Sequence, residues 1–203
     1  MIRVVPIVTG HGEDGAVPIL LRRIAAAVDA TLTLDVQRPL RVMEGKLLKP
    51  GELERTVELA GRRAGPLGGV LVLLDCDDDC PATVGPAIQR RAHAGRPDLA
   101  LEVVLARREF ESWFLAGASS LAGKRGLVAD LAPPDQPEGI RDVKGWLKRH
   151  MTGSRGYSEV VDQPALTAQF ADLLQARERS DSFDVCYRHV ERLLRRLAAH
   201  AQS

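Results

Sequence analysis

The sequence predicts an α/β fold with a mostly parallel central sheet flanked by helices, followed by a helical C-terminal extension. Two observations carry that expectation. Short β-branched or apolar runs alternate with stretches of helical spacing from the first residue to about residue 118, the order that builds strand–helix–strand units. The run from Gly69 to Leu74 is continuously apolar and bounded by Gly and Asp, which marks a strand buried on both faces, as in a parallel sheet.

The elements follow in order. Ile2 to Val8 reads as a buried first strand closed by Thr9-Gly10. GHGEDGA is a loop, and Val17 to Val28 carries apolar residues at helical spacing with Pro18 in the first turn. Thr31 to Val36 alternates as a second strand, resumed at Leu40 to Met43. Pro50 opens a helix to about Ala64, bounded by Gly65-Pro66. After the central strand, Pro81 to Ala94 reads as a helix, Leu99 to Ala106 as a strand and Arg108 to Ala118 as a helix burying Trp113, Phe114 and Leu115. Residues 119–164 are rich in Gly, Pro and charge (LAPPDQPEG, TGSRG), with a short helical piece at Val143 to His150. From Leu166 the pattern is helical, and Phe183 to Ala199 is strongly amphipathic. Residues 1–118 therefore form the expected core, and 119–203 an extension packed on it.

Composition narrows the class. The 203 residues are 45% hydrophobic and 27% charged, ordinary for a globular chain. A net charge of +1 excludes a uniformly basic nucleic-acid coat. Arginine often comes in pairs, including Arg107-Arg108; its planar fork suits phosphate, although most such pairs sit on solvated helix faces. Three cysteines do not make a disulfide framework. Cys76 and Cys80 lack a second ligand pair for zinc. No apolar stretch reaches membrane-spanning length, so a cytoplasmic protein without a membrane partner is expected.

The chemistry concentrates at strand ends, where open α/β sheets place their sites. Glu13 and Asp14 follow the first strand, Asp75, Asp77, Asp78 and Asp79 the central one, and Glu109 and Glu111 the later one. Hard oxygen ligands of this kind suit Mg²⁺ or Mn²⁺. Asp75 and Asp77, two apart, share one side of an extended segment, and Asp79 is a further candidate ligand. Helix capping is the simpler use of Asp77 to Asp79, since carboxylates favour the helix N-terminus. One acid suffices for that, however, and Asp75 lies too early. Glu13 and Asp14 suit capping equally well. His11, between two glycines, either contacts phosphate or is an exposed loop residue. Lys144 and Lys148 lie four apart on one helix face, with Arg141 nearby.

The stretches PIVTGHGEDGAVPILLRRI, LVLLDCDDD, REFESWFLA, VKGWL, GYSEVVDQPALT and SDSFDVCYRHVERLL together resemble the DUF4276 family. That family is similar to the Toprim fold of topoisomerases, primases and the nuclease domains of OLD-type and related phage-defence proteins. The resemblance implies a Toprim or Rossmann-like core that binds Mg²⁺ for phosphoryl transfer or hydrolysis on nucleic acid, with phage defence as one setting. It makes Asp75 and Asp77 the paired metal ligands and Glu13 the second acid of the first motif. Glu111 and Lys144 supply further catalytic groups, and Thr9, His11 and Arg108 are the candidate substrate contacts. Thr9 stands where the family has its catalytic Glu. Either Glu13 swings in to replace that group, or the chain is a non-catalytic sensor that binds nucleic acid, a nucleotide or an ATPase partner. A third reading, a phosphatase with Asp75 as nucleophile, lacks the Gly-Thr turn that would follow.

Overall fold

The computed structural model describes residues 1–153 and 156–202. Ser154 and Arg155, in the TGSRG stretch read as loop, and the last residue, Ser203, lie outside the described residues. The sheet has five strands: β1 (Ile2–Val8), β2 (Leu34–Val36), β3 (Leu40–Arg41), β4 (Gly68–Asp75) and β5 (Ala100–Ala106), in the order β2-β1-β4-β5, with β3 also paired to β1. Every strand pair is parallel, so the α/β class read from the sequence is the observed one.

Period-two alternation divides the side chains between two cores. Val4, Val8, Leu71, Leu73 and Val104 face one side, with Val17, Leu20 and Ile24 of helix α1 (Glu13–Val28). Val5, Ile7, Val70, Val72 and Leu105 face the other, with Leu53 and Val57 of helix α3 (Glu52–Ala64). A short α2 (Glu44–Leu47) precedes α3, and α4 (Pro81–Ala94) packs beside it. The C-terminal extension gathers on the α1 side. After α5 (Ser112–Ala116) at the end of the core, it comprises α6 (Val143–Arg149), α7 (Glu159–Gln169), α8 (Leu173–Arg179) and α9 (Asp181–Gln202). Val143, Leu147, Leu166, Phe183 and Leu193 join the core of that face. An aromatic group of Phe110, Trp113, Phe114, Phe170 and Phe183 ties α5 to the end of α7 and to α9 through tilted and edge contacts. Such pairs add about 0.5–1.5 kcal/mol each beyond their burial.

Several boundaries differ from the sequence reading. Helix α1 begins at Glu13, four residues before Val17, which puts Pro18 inside the helix. The expected strand from Thr31 shrinks to Leu34–Val36, because only those residues find β1 partners. The expected helix at Arg108 starts at Ser112, since Arg108 has φ +67°, outside the right-handed helical region. The helix expected from Leu166 starts at Glu159.

The route of the chain fixes where a ligand can sit. From β1 it passes outward to β2 and β3, then crosses back under α3 to β4 on the other side of β1. The strand order therefore reverses between β1 and β4, and a crevice opens at their carboxyl ends.

Candidate active site

Glu13 lies at that crevice. Its carboxylate turns back over the end of β1, where Oε2 accepts the backbone N–H groups of Thr9 (2.9 Å) and Gly10 (2.8 Å). The side chain is buried, and Oε1 has no hydrogen-bond partner among the described residues. A buried oxygen without a donor is unfavourable unless something else approaches it. Burial raises the affinity of Glu13 for a proton; the two amides oppose this, and Glu159 adds to it.

Asp75 closes β4 on the same face as Leu71 and Leu73, toward α1. Its Oδ1 accepts the Phe110 N–H at 2.8 Å. Burial holds its carboxyl well above the usual carboxylate range, and Glu13, Glu111 and Glu109 push it further. Glu13, Glu111 and Glu109, from the ends of β1 and β5, thus all act on Asp75 across the crevice.

Glu111 is buried at the start of α5, where burial lifts its carboxyl to about 7. Lys144 and the Tyr157 hydroxyl, which donates to Oε1 at 2.8 Å, keep it from rising further. The Lys144 ammonium, on α6, lies 3.5 Å from Glu109 and 3.2 Å from Glu159. Burial disfavours its charge, but Glu111, Glu109 and Glu159 more than offset that and hold it protonated.

Glu159 and Tyr157 carry no expected role, yet they close the crevice. Glu159 Oε1 accepts the amides of His11 (3.1 Å) and Gly12 (3.2 Å), fixing the GHG loop to the start of α7. Burial works against its ionisation, but the Gly12 amide, Lys144 and the His11 amide pull its carboxyl below the ordinary range. Gly12 is needed there. A Cβ would sit 2.6 Å from the Glu159 carbonyl oxygen and closer still to the Gln163 side chain. A polar Tyr-Ser-Glu at a helix start was the available signal, with Ser158 at the cap position.

The remaining candidates lie outside this cluster. Asp77 has φ +37° and pairs with Arg108 in a short antiparallel bridge, so it does not continue the extended line of Asp75. It is exposed, as are Asp78 and Asp79. Asp77 and Asp79 act on Glu44, whose carboxyl is raised by burial first and by those two acids next. Arg108 is engaged by its own chain, reaching the Asp77 carbonyl and the Asp78 carboxylate, which Arg141 also meets at 3.1 Å. Thr9 contributes its backbone amide to Glu13. His11 is exposed, with its amide on Glu159.

The donor set bears on a cation. Among the described residues, no three His, Cys, Asp or Glu side chains come together as a ready-made metal site. Mg²⁺ asks less of a protein, keeping several waters and taking one or two carboxylates. Glu13 Oε1, buried and without a donor, and the mutually repelling Glu13–Asp75 pair suit that demand. Comparison with protein-family models, with curated proteins and with solved structures finds no match to this chain.

Proposed function

We propose that this chain is a Toprim-like protein that uses Mg²⁺ or Mn²⁺ to cleave or transfer phosphodiesters of nucleic acid. The observation that carries the reading is the pair Glu13 and Asp75, each anchored by backbone amides at the carboxyl ends of β1 and β4 and close enough for the charge of one to act on the other. Their repulsion destabilises the chain unless a positive charge joins them. A bound divalent cation would supply charge stabilisation to the attack of water on a phosphodiester.

The chain's own residues have separable tasks. Glu13 supplies at the β1 end the carboxylate that Thr9 cannot, because the Thr9 and Gly10 amides orient it there. Asp75 faces it from β4, fixed by the Phe110 amide. Glu111, titrating near neutrality, is suited to accept or release a proton. Lys144 stays cationic among three carboxylates and suits a phosphate oxygen once one of them is drawn to a cation.

Cleavage of labelled DNA and RNA oligonucleotides, with and without Mg²⁺ or Mn²⁺, tests this. The reading requires cation-dependent cleavage that Asp75→Asn removes; full cleavage by that variant would defeat it. A second reading, a non-catalytic sensor on the same fold, draws on Thr9 and on the ionic closure of the site by Lys144, Glu109 and Glu159. It predicts no turnover at any cation concentration and a stable complex with nucleic acid or an ATPase partner.

A further inference from the structure

The positive charge is unevenly distributed. The molecule carries a net +1, yet one groove concentrates cations. A cavity of about 550 Å³ lies between β3 and α3, and a second of about 320 Å³ adjoins it around the sheet edge. They share Leu40 and Arg41 and so meet at β3. Their walls carry Arg38, Arg41, Lys46, Arg55, Arg62 and Arg63, six cations against the three acids Asp14, Glu52 and Glu58.

Those acids are already engaged. Glu52 meets Arg55 at 2.8 Å, and Glu58 meets Arg62 at 2.7 Å and Arg96 at 3.2 Å. Asp14 approaches Arg38 only to 3.9 Å, and Arg38 is largely exposed. The side chains of Arg41 and Arg63 make no hydrogen bond or ion pair among the described residues, and both residues are exposed. Helix faces usually pair such charges along their length; here the unpaired ones gather on a concave edge.

The edge leads to the acid cluster. Arg41 is in register with Val8, and the next residue, Val42, donates its N–H to the Val8 carbonyl at 3.0 Å. Thr9, whose amide holds Glu13, follows Val8 directly. A polyanion lying along the groove thus runs toward the β1 end, where Glu13 is anchored. We infer that this β3–α3 groove holds the phosphodiester backbone of a nucleic acid and delivers it to the crevice between β1 and β4. The inference rests on the function proposed above. The occupant is fixed by charge: repeated anions match separate guanidinium groups, and Leu40, Val42 and Leu59 provide an apolar floor.

The test separates the groove from the chemistry by measuring binding in EDTA, where no cation supports cleavage. Fluorescence anisotropy would follow labelled single-stranded and duplex oligonucleotides bound to the full chain over a range of salt. The wild type should bind with a clear salt dependence. Arg41→Ala/Arg63→Ala should weaken binding about ten-fold or more, and its log–log salt slope should fall by about 2. Arg188→Ala/Arg195→Ala serves as control, because both arginines pair with acids on α9 across the sheet. It should bind like the wild type. Thermal melts show that each variant is folded; if the Ala pair unfolds, Arg41→Gln/Arg63→Gln replaces it with the same expectation. Unchanged affinity and slope in the groove variant overturn the inference, as does absence of binding by the wild type. Polyglutamate that binds as tightly as the oligonucleotides also overturns it, in favour of an acidic protein partner. Groove-dependent binding with no cleavage under any cation leaves the groove standing and removes the catalytic reading alone.

Discussion

At Asp75 the fold sets a carboxylate against Glu13, Glu111 and Glu109. A carboxyl raised in the folded state binds protons there more tightly than in the unfolded chain. Its penalty is therefore absent below the unfolded value of 3.8, and it grows as pH rises toward the higher folded value. Asp75→Asn keeps an oxygen for the Phe110 amide and removes that charge. Without divalent cation, the variant should gain about 1–3 kcal/mol over the wild type at pH 8 and little at pH 4. Urea unfolding at the two pH values measures this; equal gains at both would remove ionisation of the buried carboxylate, by burial first and repulsion next, as the cause. Glu111 gives a second test, with a carboxyl near 7 that the Tyr157 hydroxyl draws down. Tyr157→Phe should raise it further and move the acid limb of any pH–activity profile upward; an unmoved limb would separate Glu111 from proton transfer. Glu13, Asp75 and Glu111 were legible because acids directly after strands fall on one sheet edge. Glu159 was not, because its contact with His11 spans 148 residues. Asp77 was misplaced because pairing across the strand end turns its backbone to φ +37°, which residue spacing does not reveal.

Helices α1 and α7 meet through the GHG loop, and their fit depends on a missing side chain. Gly12→Ala brings a methyl against the Glu159 carbonyl and the Gln163 side chain. It should destabilise the protein by about 1–3 kcal/mol and free the His11 and Gly12 amides from Glu159. Hydrogen exchange at residues 11 and 12 reports this directly, and unchanged protection would contradict it. Helix α9 has a comparable anchor. Ser182 Oγ accepts both the Trp113 indole N–H (2.9 Å) and the Arg107 amide (3.1 Å). Ser182→Ala leaves one buried and one part-buried donor unsatisfied and should lower stability by about 1–3 kcal/mol, read from the denaturant midpoint. The strands of the core and the amphipathic α9 were visible in the sequence because burial imposes periods of two and 3.6. The start of α7 was hidden by a Gly-rich, polar approach. Asp162 reaching back to the Ser158 amide at 2.8 Å is what secures it.

Across the whole molecule, the two layers separate the tasks. The face carrying α1 and α9 also carries the C-terminal extension, which brings Lys144, Tyr157 and Glu159 over the strand ends. The opposite layer exposes the basic groove along β3 and α3. Among the described residues no helix is long and apolar enough to cross a membrane. Parallel topology was readable from the unbroken run of β4, but the meeting of α6 and α7 over the crevice was not. It depends on tertiary packing of short helices with weak patterns of their own.

Glu13 and Asp75 are proposed to share a divalent cation at the ends of β1 and β4. Calorimetric titration of Mn²⁺ and Mg²⁺ into the wild type and Asp75→Asn, both folded at neutral pH, tests it most directly. The account predicts saturable binding to the wild type that Asp75→Asn weakens at least about ten-fold, on the scale of losing one charged ligand. Equal binding by the two proteins, or none by the wild type, would contradict it.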